Sequence, residues 1–404
     1  MAPEIATQLC PFADTRDSRK SAALAARLAK PAFPHVISEF ALAREMLRSP
    51  ALKQAGLGAD QIPLDEPAKA PVFFLDGEDH KRKRSTIARF FTPKAISSHY
   101  RQVMEDSADR LLTELRQGKR VKLDQITWSM AVAVAAEVVG LTVHSTDDMA
   151  PRIEGVLEQT KIHALGPVRR FFKAIEVRAR VIHFLIRDLR PAVRARRKEP
   201  RFDIISRLIE EGYSEPGMLI ECMTYAAAGM ATTREFITMV AWHLFEHEDL
   251  RARYLGADEA GQLTICDEIL RLEPVATYLY RRSEDAVPDK LVSRIAPNQA
   301  YSLDMRVANF DEAATGPCPH AIDPDRAKRM GEQGAYLSFG DGAHRCPGAA
   351  VAMAETRIFI DRLFRIPGVT LVQEPRIDWN AALMTYELRD AWVQVLTAPA
   401  NSRH

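Results

Sequence analysis

Net charge is almost absent from this chain of 404 residues, in which 55 lysines and arginines face 54 aspartates and glutamates for a formal balance of +1. With so little excess charge there is no global pull on a polyelectrolyte, so nucleic acid is not an expected partner and any docking must use local patches. Cysteine is scarce as well. Cys10, Cys222, Cys266, Cys318 and Cys346 are odd in number and widely spaced, which argues against a disulfide framework and for a reducing compartment, the cytoplasm. A long apolar run is missing: the most apolar stretch, Trp128 to Val143, is interrupted by Glu137, is too short for a span and reads as a buried helix. Met1 to Lys20 mixes acids, prolines and Arg16 and Arg19 without an apolar core, so neither a signal peptide nor a membrane anchor is expected. Internal repeats and low-complexity tracts are lacking.

What is present is an ordinary globular composition in a chain long enough to bury a cofactor in one large core, although length alone also permits two or three domains. Residues Glu105 to Leu115, Asp203 to Ile209, Met218 to Glu246, Glu268 to Leu272 and Ala349 to Leu363 carry helical periodicity. Lys290 to Met305 and Val369 to Val395 hold short strand-like runs with turn residues. The expected class is mainly α with a small β-rich part.

The chemistry concentrates at Phe339-Gly340-Asp341-Gly342-Ala343-His344-Arg345-Cys346-Pro347-Gly348. Gly340 and Gly342 can take positive φ, so the loop can double back beneath a flat cofactor, and Gly348 lets the backbone come close. Cys346 lies just before the helix that starts at Ala349, where unpaired N–H groups and the helix dipole favour a thiolate. A single thiolate with no Cys or His partner at metal-finger spacing is wrong for structural zinc and suits an axial ligand to haem iron.

The complete pattern Phe-Gly-x-Gly-x-His-x-Cys-x-Gly resembles the haem-ligand loop of the cytochrome P450 family of haem-thiolate monooxygenases. The resemblance runs from His80 to the end of the chain and implies the cytochrome P450 fold, one domain over residues 1–404 with about the first 20 as an extension, a b-type haem, and the soluble bacterial type rather than the anchored microsomal one. It also implies roles. Glu268 and Arg271, three apart on one helix face, would join Arg326 in a structural network holding the haem loop, and Asn309-Phe310-Asp311 matches the family's Asn-x-Asp segment. His80 and Arg84 match its His-x-x-x-Arg element, and with His344 they are candidates to hold the haem propionates, which need cationic or hydrogen-bonding partners if buried. Phe339, Gly340 and Gly348 would shape the haem contact. Arg281 stands where many bacterial members place another propionate-binding arginine, but its neighbour Arg282 leaves the register open.

Within the apolar run from Met218, Ala226-Ala227-Ala228-Gly229-Met230-Ala231-Thr232-Thr233 resembles the family's oxygen-binding segment, Ala/Gly-Gly-x-Asp/Glu-Thr. Ala228 and Gly229 stand at the small pair and Thr232 at the threonine that steadies dioxygen. The proton-relaying acid is replaced by Ala231, which cannot relay a proton. Three answers stay open: a water chain or a polar substrate group, an inward swing of Glu235, or a reaction other than ordinary oxygen insertion. Glu235 otherwise reads as an exposed helix residue.

By resemblance, Thr224, Ala227, Ala228, Ala276, Thr277 and Met384 would line a substrate pocket, and their small size leaves space for a bulky apolar molecule such as a terpenoid. Lys81, Arg82, Lys83, Arg89 and Arg345 read equally as an ordinary solvated face or as a surface for an acidic ferredoxin, and the basic segment Lys161 to Lys198 coincides with the family's mobile lid. The expected function is O2-dependent hydroxylation or other oxidation by a monomeric enzyme, with electrons from NAD(P)H through a reductase and ferredoxin. Its rivals are an atypical haem-thiolate catalyst of rearrangement, desaturation, coupling or peroxide-driven oxidation, and a non-catalytic haem sensor or binding protein.

Overall fold

Thirteen helices of seven or more residues dominate the described residues of a computed structural model, which covers residues 31–56, 70–157, 166–285, 287, 291, 293–380 and 383–396, apart from the side chains of 167, 168, 170, 226 and 227. They are α1 (Phe40–Arg48), α2 (Gly77–Ala88), α3 (Arg101–Leu111), α4 (Leu123–Val139), α5 (Thr146–Leu157), α6 (Pro167–Phe184), α7 (Arg190–Lys198), α8 (Ile204–Glu210), α9 (Glu215–Tyr225), α10 (Thr232–Glu246), α11 (Glu248–Gly256), α12 (Glu259–Leu272) and α13 (Ala349–Phe364). No described helix is long and apolar enough to cross a membrane.

Sequence explains where the centre lies. Helix α4 is apolar around nearly its whole circumference, so it can only be a core helix. It stops at Gly140, whose φ of +98° an L side chain rarely adopts. It packs on α10, where Thr127 and Thr238 hydroxyls bond at 2.9 Å with both residues fully buried. Helices α3, α12 and α13 complete the main core.

Three small sheets flank it. The first, in the order β1 (His35–Ile37), β5 (Ala300–Asp304), β4 (Tyr278–Arg282), β2 (Lys53–Gln54), is antiparallel except for the parallel β1–β5 pair. The second runs β3 (Val121–Lys122), β9 (Trp392–Val395), β6 (Val369–Gln373), and the third is the hairpin β7 (Arg376–Asn380) with β8 (Thr385–Arg389).

Several expectations shift. The run from Met218 to Glu246 is two helices joined by a π-turn at Ala226–Ala231. Glu268 to Leu272 is the last turn of the longer α12, and Glu105 to Leu115 breaks at Leu112. Asp203 is the N-cap of α8, accepting from the Ser206 amide at 2.7 Å. Among the cysteines, Cys222, Cys266 and Cys346 are free, whereas Cys318 is disulfide-bonded, against the expectation of wholly reduced thiols. Cys10, Met1 to Lys20 and Lys161 lie outside the described residues.

Candidate functional site

The cysteine loop folds as its glycines require. Gly340 and Gly342 sit at φ +68° and +67°, and a Cβ on Gly342 would lie 2.5 Å from the Leu47 carbonyl, so the loop can close only against the end of α1 if that residue has no side chain. Arg48 Nε donates to Asp341 Oδ2 at 2.8 Å and fastens the same contact. The Cys346 amide donates to the Phe339 carbonyl at 2.9 Å, which turns the chain back on itself. Burial pushes the Cys346 thiol up, against the amides of Gly348 and Ala349 and the charges of Arg84 and Arg345, which pull it down. The helix-end donors are present as expected, but they do not outweigh burial without a bound cation, which is what iron would supply.

Cys346 borders two lobes of one slot. The larger, about 230 Å³, is lined by Thr232, Val275, Ala276, Phe339, Gly340 and His344 among others, and the smaller, about 100 Å³, by Phe91, Val134 and Glu355; Ala228, Gly229, Thr233 and Gly348 line both. A Cβ built on Gly229 meets nothing within 4 Å, so the helix face turned to Cys346 leaves room for a flat group between them. Wider clefts at Asp109/Arg362 and Glu39/Arg44 are lined largely by charged residues and hold none of the predicted site residues.

Cationic and imidazole groups gather around Asp76. His80 and His344 stack with ring centroids 3.9 Å apart, and His344 Nε2 lies 3.2 Å from Asp76 Oδ1. Burial, with His344 and Arg84 adding, pushes His80 down to about 4, so it is neutral at pH 7. Burial likewise lowers His344, although Asp76 opposes it. Arg84 donates to the Arg345 carbonyl at 2.7 Å. Arg281 is 3% exposed and lowered by burial to about 10, with Asp76 opposing; it bonds Gln54 and its own strand's Tyr280 carbonyl. Arg282, the alternative, is half-buried and alternates to the other face of β4. This group fits two buried propionates.

The predicted network forms. Arg271 makes two bonds of 2.7 Å to Glu268 and one of 2.8 Å to the Asn309 carbonyl. Arg326 Nε reaches Glu268 at 3.3 Å, and its other nitrogens bind the carbonyls of Thr315, Pro317, Cys318 and Ala321. Asn309 bonds the Ser338 hydroxyl and the Leu337 amide, so the network grips the strand of chain that leads into Phe339.

At the π-turn, Thr232 Oγ1 donates to the Ala228 carbonyl at 2.6 Å, the local opening expected of a threonine here. Glu235 is neither exposed nor free to swing. It is 2% exposed, and its carboxylate accepts from the Leu388 amide at 2.7 Å, Arg389 at 2.8 Å and Arg234 at 2.9 Å. The donors Leu388 and Arg389 pin α10 to β8, so the relay reading of Glu235 is corrected to an anchor. No signal in the sequence could have found this, because Leu388 is 153 residues away.

Of the predicted substrate-lining residues, Ala228 and Ala276 border the larger lobe. Thr224 is buried and bonded to the Ile220 carbonyl, and Thr277 pairs through its amide with the Met384 carbonyl. Met384 packs with Tyr278, Tyr280 and Trp379, and the Ala227 side chain lies outside the described residues.

The basic patch also changes. Lys83 is 5% exposed and paired at 2.5 Å with buried Glu221, which accepts from Tyr225 as well, so it faces no partner protein. Lys81 and Arg82 are exposed and pair within α2, and Arg89 stacks on Phe90. In the basic segment, Arg180, Arg190 and Arg196 are tied to Glu176, Glu215 and Asp203, while Phe171, Phe172, Ile175, Ile182 and Ile186 stand exposed.

No family model matches the chain. It is 30% identical over 353 residues to the cytochrome P-450 monooxygenase DoxA of Streptomyces sp. (strain C5), covering 80% of this chain and 79% of that one. The vitamin D(3) 25-hydroxylase of Pseudonocardia autotrophica is 26% identical over 347 residues, covering 81% and 79%. Among solved structures, P450BioI in complex with hexadec-9Z-enoic acid-ligated acyl carrier protein matches with a TM-score of 0.75 at 19% identity, over 97% of this chain and 100% of that one.

Proposed function

Because the chain belongs to the cytochrome P450 family and is a monooxygenase, we propose that it hydroxylates or otherwise oxidises a bulky apolar molecule with electrons passed from NAD(P)H by a reductase and a ferredoxin. The observation that carries this reading is the meeting of Cys346, the open face at Gly229 and His344 on one slot, with His80 stacked on His344, Arg84 bonded to the Arg345 carbonyl and Arg281 buried near Asp76. The residues fit haem b, the family's cofactor, with Cys346 to hold the iron and the cluster to hold the propionates. When bound, the haem supplies reductive activation of dioxygen, with thiolate donation favouring O–O cleavage.

The chain's own residues set the conditions. Phe236, Leu270, Val275, Ala276 and Leu279 give the larger lobe an apolar wall that would exclude water and orient a hydrocarbon surface rather than a charged one. Thr232 keeps its hydroxyl on the Ala228 carbonyl and opens the helix beside Gly229. Exposed Lys81, Arg82 and Arg89 remain for an acidic ferredoxin, and a monomer is sufficient for every role described.

The reduced, carbon monoxide-bound protein is expected to show the red-shifted Soret band of thiolate-ligated haem, and Cys346→Ser to abolish it; a histidine-type spectrum in the parent overturns the assignment. Candidate apolar substrates are then screened by the spin-state shift that accompanies displacement of the iron's water ligand. A second reading, a haem-thiolate catalyst of atypical or peroxide-driven chemistry, draws on Ala231 and on the commitment of Glu235. Turnover with peroxide but not with a ferredoxin system would select it.

A further inference from the structure

Asp76 stands where a helix cap belongs and does not cap. It is the residue ahead of α2, the place at which an aspartate ordinarily accepts from the first amides of the helix, yet its carboxylate makes no such bond. Gly77 accounts for this. Its φ of +62° is far from the helical value, so the chain turns before the helix begins and aims the Asp76 side chain elsewhere. Both oxygens are taken up there: Oδ2 accepts from the Gln54 amide at 3.0 Å, and Oδ1 lies 3.2 Å from His344 Nε2. The Gln54 side chain in turn accepts from Arg281, so Asp76 is joined to the cysteine loop on one side and to β4 on the other.

For a site that must take two propionates, this is one carboxylate too many. Arg84 and Arg281 match two propionates charge for charge, and Asp76 is already the one carboxylate acting on Arg281 among the described residues. It is an anion at pH 7: burial raises its carboxyl, but His344, the Gln54 amide and Lys53 of β2 outweigh that and hold it below the usual range. Nε2 of an imidazole carries one proton at most, so a propionate that takes this donor takes it from Asp76. Like charges brought to one cluster also oppose each other. We propose that Asp76 competes with a haem propionate for His344 and Arg281, holding the cluster together in the apoprotein and loosening the haem in the loaded protein. Asp76 acts through its neighbours, so it is a positioning residue, and the proposal rests on the haem-thiolate reading above. A plain structural tie between α2 and the cysteine loop would do the reverse and hold the haem tighter.

The test uses full-length protein loaded with haem, each variant first checked for its carbon monoxide spectrum; a histidine-type spectrum in the parent overturns the functional reading itself. Haem release is then timed by transfer to excess apomyoglobin, and the apoproteins are unfolded in urea. Asp76→Asn is expected to release haem about 10-fold more slowly than the parent, the scale of one charge-assisted contact, while its apoprotein unfolds at a lower urea concentration. With haem dimethyl ester, whose carboxylates are blocked, parent and variant release at the same rate. Asp79→Asn, which removes the same charge three residues on, where Asp79 pairs with exposed Arg82, changes neither the rate nor the midpoint. Release that is unchanged or faster in Asp76→Asn, an apoprotein midpoint that is unchanged or higher, an equal slowing with the dimethyl ester, or an equal slowing in Asp79→Asn each overturns the proposal. If Asp76→Asn does not fold, Asp76→Ser, uncharged but with a hydroxyl at the same place, decides by the same measurements.

Discussion

Arg281 and Arg282 differ by a single step along β4, and that step moves a guanidinium from the Asp76 cluster to the half-exposed face of the sheet. Adjacent arginines look alike in a sequence; only the pairing of Arg281 with Gln54 sets which one turns inward. Arg281→Leu is expected to cut haem retention on gel filtration by at least about 10-fold, the scale of one lost charge-assisted contact, while Arg282→Leu leaves it unchanged. The ratio of Soret to protein absorbance measures both. Cys346 in its glycine loop and the Glu268–Arg271 pair were legible as local patterns of spacing, whereas Arg326, 58 residues from Glu268, came only from the family resemblance. Glu235 and Lys83 were not legible, since their burial comes from β8 and from Glu221, far along the chain.

At the scale of elements, the π-turn at Ala226–Ala231 interrupts what periodicity reads as one helix from Met218 to Glu246. One extra residue in a turn leaves the apolar pattern on either side intact, so the insertion has no signature in composition or spacing. It turns Ala228 and Gly229 to the slot. Gly229 has no positive φ and an open Cβ direction, so a side chain there strains nothing in the protein and occupies only cofactor space. Gly229→Leu is therefore expected to fold as the apoprotein, with stability in urea equal to the parent or up to about 1 kcal/mol higher from helix propensity, and to bind no haem. Loss of folding in that variant would show that the slot is closed by protein. The core helices α4, α10 and α13 were visible in outline, as were the regions of β5 to β9, whereas β1 to β4 were not, because two- to five-residue strands carry too few residues to show alternation.

At the scale of the whole molecule, the haem loop is held by a charge cluster with a proton-linked neighbour. Burial pushes Asp267, beside Glu268, up to about 7, with Arg345 opposing and Glu268 adding. A carboxyl raised above its unfolded value of 3.8 keeps the native state better protonated, so its contribution is full below that value and is lost as pH rises through 7. Asp267→Asn, neutral throughout, is expected to match the parent near pH 4 and to exceed it by roughly 2–4 kcal/mol above pH 7, read from urea midpoints across that range. The same clustering of distant segments sets a clock. Arg48 meets Asp341 across 293 residues, and Glu235 waits for Arg389 near the end of the chain. At about 5–20 residues per second, α1 leaves the ribosome about 15–60 s before the loop it buttresses. The cysteine loop can close only after its own residues have been made, long after α1, so Cys346 stays an open thiol until then.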